Sequence, residues 1–180
     1  MYSIRNAALG FSLIELMTAL AVASVLLVVG VPSFRYVTNA NRITGEINGL
    51  LGDLQLTRSE AIEQGRPVTI CRSVDGATCA AANTWQSGWI VFMDANGNKT
   101  VDAGESLLRV QQPIAAGDTL VASGNIAAVT YNREGYAFGL PGTVTMTLHD
   151  QTANSAWTRC LAVSIVGQLQ TQTVGTGACL

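Results

Sequence analysis

Three groups of residues in this chain could carry chemistry. Glu15 stands near the start of an apolar run, "GFSLIELMTALAVASVLLVVGVPSF", residues 10–34. Asp94, Asn96, Asn98, Thr100, Asp102 and Glu105 recur along "DANGNKTVDAGE". Cys71, Cys79, Cys160 and Cys179 are the only cysteines. The first group is an acid in a stretch from Phe11 to Val31 that, at about 20 residues, is long enough to cross a bilayer as a helix. An intramembrane acid costs roughly 2.5 to 3.5 kcal/mol, so Glu15 is a functional-site candidate in its own right. The second group falls at positions 1, 3, 5, 7, 9 and 12 of an EF-hand-like ligand spacing, with Val101 at the loop's apolar position, which would suit weak calcium binding. Against calcium, Lys99 takes the place of the turn glycine, the flanks read as strands, and the asparagines are neutral. A hairpin loop held by Asx turns is the favoured reading.

The cysteines suit two disulfides in a body that lies outside the cytoplasm. Connectivity is formally open; local closure, Cys71 with Cys79 and Cys160 with Cys179, needs the least chain ordering. No CxxC occurs and the single histidine, His149, is isolated, so zinc is not indicated and His149 reads as a polar strand-end residue. No serine pairs with a base, as Ser59 beside Glu60 illustrates, and neither a GxSxG turn nor a phosphate-cradling loop is present; an enzyme is not expected. Lys and Arg total 10 against 12 acids, and setting aside Arg5 and Glu15 leaves nine against eleven, which provides no electrostatic footprint for nucleic acid. Trp85, Trp89, Phe92, Tyr131, Tyr136, Phe138 and Trp157 have few basic neighbours and read as core and strand-face aromatics.

The elements that position these residues follow from periodicity. Past Pro32 the helical pattern resumes: Ile43, Ile47, Leu50, Leu54 and Ala61 recur at threes and fours between Arg42, Glu46, Asp53, Glu60 and Glu63. Gly65 and Pro67 end that helix. From Phe11 to Gln64 it would run about 80 Å, with a kink expected at Pro32 near the membrane surface. Strands are expected at Val68–Arg72, Gly88–Met93, Leu107–Gln111, Thr119–Ala122, Ala127–Asn132, Thr143–His149 and Cys160–Val166. The tail "GQLQTQTVGTGACL" is polar, with Cys179 tying it down. The fold class is therefore α+β: a long amino-terminal helix whose apolar stripe packs on antiparallel β-sheet.

An ordinary secretory signal would use Arg5 as its n-region and cleave near Gly30, but its apolar region is shorter, about 7 to 15 residues, and carries no acid. The order of a short leader, MYSIRNAALG, then Gly10, Phe11 and Glu15, then the apolar helix, resembles the class III signal of type IV prepilins. The resemblance implies that a prepilin peptidase cuts between Gly10 and Phe11 and methylates the amino group of Phe11. It also implies that Glu15, fifth in the mature chain, pairs with the amino terminus of a neighbouring subunit, each charge offsetting the other's desolvation. Thr18, one turn on, reads as a hydroxyl bonded back to the helix. The segment "SGWIVFMDANGNKTVDAGESLLR", residues 87–109, is similar to the hairpin of the GspH/FimT group of minor pilins and pseudopilins.

That resemblance implies a leader at 1–10, a transmembrane and filament-core helix at 11–35, and a periplasmic globular domain at 36–180, helical to about 64 and then β-rich. The expected protein is a minor pilin of a type IV pilus, anchored once in the inner membrane and then assembled into the filament near its tip. Its partners would be other major and minor pilins, the prepilin peptidase and the assembly platform. The alternatives are a type II secretion pseudopilin and a DNA-binding competence pilin. Some FimT-like pilins bind DNA through a Gly-Arg-x-Arg element; the corresponding stretch here is Gly167, Gln168, Leu169 and Gln170, with glutamines for both arginines. Arg133 and Arg159 do not restore the motif, and nucleic acid is the minority expectation.

Overall fold

A computed structural model describes residues 10–115 and 117–179; the leader therefore lies, apart from Gly10, outside the described residues. The chain forms two compact units, one ending at Thr38 and one beginning at Asn39.

One helix, α1 (Leu13–Gln64), begins in the first unit and ends in the second. Its start has a local cause. Ser12 is the N-cap, and its Oγ accepts the Glu15 amide at 3.2 Å while its carbonyl accepts from Leu16 at 3.1 Å. Thr18 and Ser24 donate their hydroxyls to the carbonyls three residues back, at 3.0 and 2.8 Å, so both are bonded within the helix. Pro32 lies inside the helix, where its missing N–H leaves one rung of the ladder unmade. Helix α1 ends where Gly65 adopts φ +64, the left-handed conformation that closes a helix with no Cβ to obstruct it.

The second unit lays the carboxy-terminal part of α1 on two antiparallel sheets. One sheet has the order β3 (Leu107–Gln111), β2 (Trp89–Met93), β1 (Val68–Arg72), β5 (Ala128–Tyr131), β6 (Ala137–Phe138). The other has the order β4 (Thr119–Ala122), β7 (Val144–His149), β8 (Arg159–Val163), β9 (Leu169–Thr173). The sheets meet at one margin, where the Ala137 amide on β6 donates to Ile165 O at 3.0 Å. At another, Asn83 and Ala122 exchange backbone and side-chain bonds, so the outer edge of β4 is covered by the chain leading into β2.

The core explains this arrangement. Ile43, Ile47, Leu50, Leu54 and Ala61 are all buried, as their spacing requires. They belong to one cluster with Val68, Ile70, Trp89, Val91, Val129 and Tyr131 of the first sheet and Leu120, Met146, Leu148, Leu161 and Val163 of the second. Removing that much apolar surface from water is the main force holding the unit together, at roughly 25 cal/mol per Å². On the other face of the first sheet, Cys71, Ile90 and Phe92 form a smaller cluster covered by Cys79, Val101 and Ala128. Period-2 alternation along β1 and β2 separates the two clusters.

Five of the seven expected strands differ from the structure by no more than an end residue. The strand expected over Cys160–Val166 instead runs Arg159–Val163, because Ser164 to Gly167 form a turn closed by Gly167 N to Ser164 O at 2.9 Å. The strand expected from Thr143 begins at Val144, and those expected from Gly88 and Ala127 begin one residue later and, for the latter, end at Tyr131. A Cβ on Gly88 would lie 2.5 Å from Gln111 O, which keeps this position for glycine at φ +101. Two strands, β6 and β9, have no counterpart in the sequence reading.

Candidate functional site

The first candidate site is the start of α1. Gly10, Phe11 and Glu15 are exposed, with Phe11 81% accessible, and so are Leu13, Ile14, Leu16, Met17, Leu20, Val22, Val25, Leu26 and Leu27. A continuous apolar surface of that size is not a surface that water tolerates, and it marks a membrane or protein interface. Glu15 occupies the third position of the helix, in the S-x-x-E pattern of a capping box, where a carboxylate also complements the positive end of the helix dipole. The same S-x-x-E pattern makes Ser12 legible in the sequence as the cap.

The second candidate is the loop from β2 to β3. Asp94 is fully buried; Oδ2 accepts from Thr69 Oγ1 at 2.6 Å and from the Lys99 amide at 3.0 Å, and Oδ1 accepts from the Asn98 amide at 3.0 Å. Asn98 and Asn96 donate their side-chain amides to Asp102 Oδ2 at 2.7 and 2.8 Å. The Thr100 amide donates to Asn98 Oδ1 at 2.8 Å. Glu105 accepts from the Ala95 and Asp102 amides, each at 3.0 Å. The acids are thus satisfied by the loop's own N–H groups, and two of the asparagines turn their nitrogens toward the carboxylate. Among the described residues no three His, Cys, Asp or Glu side chains are placed to hold a metal ion. Lys99 takes the left-handed conformation at φ +63 where an EF-hand would carry glycine.

The third group, the cysteines, forms two bonds, Cys71 to Cys79 across 8 residues and Cys160 to Cys179 across 19. Both are the local pairings. The first holds the 73–82 segment against the outer cluster of the first sheet. The second ties the tail back onto β8, beneath the edge strand β9.

At the carboxy-terminal stretch, Gly167 is the turn into β9 and is enclosed, while Gln168 and Gln170 are exposed. Gln168 lines an open groove of about 620 Å³ between Gln55, Arg58, Ser59 and Ile62 of α1 and Val166 to Leu169. Arg58 is committed to the fold, donating from Nε to Gly135 O at 2.9 Å. Arg133 pairs with Glu134 at 2.7 Å, and Arg159 donates to the carbonyls of Ala156 and Thr158. Of these cations, Arg58 and Arg159 bond to backbone carbonyls and Arg133 to its exposed neighbour, and His149 is bonded to Thr158 Oγ1 at 2.9 Å.

A polar cluster was missed. Trp89 Nε1 and Arg109 Nε converge on buried Asp53 at 2.9 and 3.2 Å. Near Asn39, Arg42 contacts Asp118 and Asn39, and Glu46 accepts the Ala115 amide at 3.3 Å. Burial, together with the neighbouring Asp118 carboxylate, raises the Glu46 carboxyl above its ordinary value, and the Ala115 bond and Arg42 only partly oppose this. The i, i+4 spacing of Arg42 and Glu46 was visible in the sequence; Asp118, more than seventy residues away, was not.

Known proteins resemble the chain in sequence and in fold. The family model of Type II transport protein GspH matches residues 46–167, and that of the prokaryotic N-terminal methylation motif matches residues 5–31. A solved structure of the type IV minor pilin FimU of Pseudomonas aeruginosa aligns at 23% identity and TM-score 0.57, covering 73% of this chain and 89% of that one. The minor pseudopilin EpsH from the Type 2 Secretion System of Vibrio cholerae aligns at 12% identity and TM-score 0.53, covering 74% of this chain and 98% of that one. At these identities the likeness is one of fold. No curated protein matches the chain significantly.

Proposed function

The chain belongs to the GspH family of minor pilins and pseudopilins, and from that membership we propose that it is a minor pilin of a type IV pilus. The observation that carries the assembly role is the start of α1, where Glu15 stands in an apolar surface whose described side chains are exposed from Phe11 to Phe34. The family is one of structural subunits, and the chain's role is assembly, with no catalytic step.

In this reading the leader ending at Gly10 is removed by prepilin peptidase and Phe11 becomes the methylated amino terminus. Residues 11–35 anchor the subunit in the inner membrane, with residues 36–180 on the periplasmic side, and then pack among the helices of other pilins. Burying an amine or a carboxylate alone in that apolar core costs several kcal/mol, whereas a neighbour's Phe11 ammonium against Glu15 satisfies both. The pairing therefore selects the axial register of subunits. Ser12, by capping the helix, holds Glu15 one turn from the chain's start.

Intact mass of the membrane-extracted protein, with and without prepilin peptidase and before and after reduction, tests this. The expected product begins at methylated Phe11 and gains four hydrogen atoms on reduction of its two disulfides. A chain retained from Met1, or cut near Gly30, would overturn the proposal. A second reading, a type II secretion pseudopilin, is favoured by the family description and by the EpsH fold. Loss of surface pili with intact secretion on deleting the gene supports the pilus; the reverse outcome supports the pseudopilin.

A further inference from the structure

The junction between α1 and the loop before β4 contains two carboxyl groups with more acceptor atoms than donors. Asp118 has a side chain with no solvent exposure; Oδ2 contacts Arg42 while Oδ1 is buried with no partner. Glu46, one turn along the helix from Arg42, is mostly enclosed, its side chain 15% exposed. Its Oε1 accepts the Ala115 amide and lies 3.9 Å from Arg42 NH1, and its Oε2 is buried with no partner. A buried acceptor without a donor costs about 1 to 3 kcal/mol, more for a charged group. One guanidinium cannot neutralise two carboxylates, and among the described residues no second cation pairs with either. Asp150, the other acid at this end, is engaged by Asn39, Thr152 and the Asn154 amide. From the side of β2 and β3 the adjoining groove is lined by Trp89 and Gln111, which carry no charge, and from the loop by Pro113, Ile114 and Ala115.

We propose that Glu46 and Asp118 share one proton, and that this carboxyl–carboxylate bond is a pH-sensitive clamp holding Ala115 and Asp118 to α1. One proton satisfies both orphaned oxygens and leaves Arg42 to balance the single remaining negative charge. Removing that proton puts two anions against each other in a largely desolvated site, and weakens the hold on Ala115 and Asp118 that the Ala115 bond and the Arg42 pair otherwise provide. The upward displacement of the Glu46 carboxyl, caused first by burial and next by Asp118, agrees with this arrangement.

The sign of the effect is fixed. A group that holds its proton more tightly in the folded state stabilises the fold below its unfolded value and loses that contribution as pH rises through its folded value. Between the ordinary glutamate value of 4.5 and about pH 8, the melting temperature of the full chain in detergent should fall by about 2 to 4 °C. Glu46→Gln, whose amide donates to Asp118 at every pH, should remove that fall, and Asp118→Asn should do the same from the other side. Carbon-13 NMR of the full chain, labelled at glutamate, reads the proton directly. The carboxyl signal lost in E46Q should titrate above 4.5, and the Ala115 amide should move with the same midpoint. An ordinary Glu46 titration would overturn the clamp, even if either variant folds poorly. So would equal pH slopes in wild type and both variants.

Discussion

Asp94 is a wholly buried acid whose two oxygens accept three hydrogen bonds, from Thr69 and from the Asn98 and Lys99 amides. It fixes the hairpin loop and has no lone pair aimed at open space. Asp94→Ala should therefore lower stability by about 1 to 3 kcal/mol, measured by denaturant unfolding, because three donors lose their acceptor. Millimolar calcium and a chelator should leave the melting temperature of the wild type unchanged; a calcium-dependent rise would return the loop's oxygens to the status of ligands. Gly167 makes a second residue-scale case. Its φ is +77, and a Cβ there would collide with Gly135 O and crowd Arg58, so Gly167→Ala should cost at least about 1 kcal/mol. Such residues were partly legible. Asp94 and its neighbours announced a turn by type, and four cysteines announced two bonds. What stayed hidden were partners distant in the chain, such as Asp53 with Trp89 and Arg109, which only the completed fold brings together.

Helix α1 was readable because its apolar residues recur over many turns and its stop signals, Gly65 and Pro67, are strong. Strand β9 was not, because "LQTQT" forms an edge with mostly exposed side chains and so carries no buried face for a pattern to record. Strand β6, two residues long, is below what any periodicity can register. For β9 the covalent element compensates. Cys160 on β8 is bonded to Cys179, and within the intervening turn the Gly175 amide donates to Cys179 O at 3.0 Å while Thr176 donates to Thr173 O. Replacing both cysteines by serine should lower stability by about 2 to 4 kcal/mol. It should also speed amide exchange over residues 169–179 before it affects β1 or β5, and uniform exchange across both sheets would show that β9 is not separately secured.

For the molecule as a whole, fold class followed from one helix period and a series of strand-like runs, whereas the division of those strands into two sheets did not, since nothing local distinguishes β5 from β7. Glu15→Ala should leave maturation intact and reduce incorporation into filaments several-fold, by immunoblot of sheared fibres against membranes; normal incorporation would end the register argument. Acid should weaken the globular unit through Asp150. Burial raises its carboxyl, but bonds from Thr152, Asn154 and Asn39 outweigh this and hold it below the ordinary 3.8. Its contribution is thus present above that value and lost as pH falls further, and Asp150→Asn should flatten this acid limb of the melting curve. Neither disulfide joins α1 to a sheet: one closes a loop at β1 and the other links β8 to the tail. In the filament reading proposed above, a pull on the amino-terminal part of α1 meets no disulfide before the backbone turns at Gly65 into β1. The non-covalent contacts of α1, from the Asn39–Asp150 and Arg42–Asp118 bonds to the apolar stripe ending at Ala61, then carry the load, while each disulfide-bonded loop keeps its shape whether or not the helix slips.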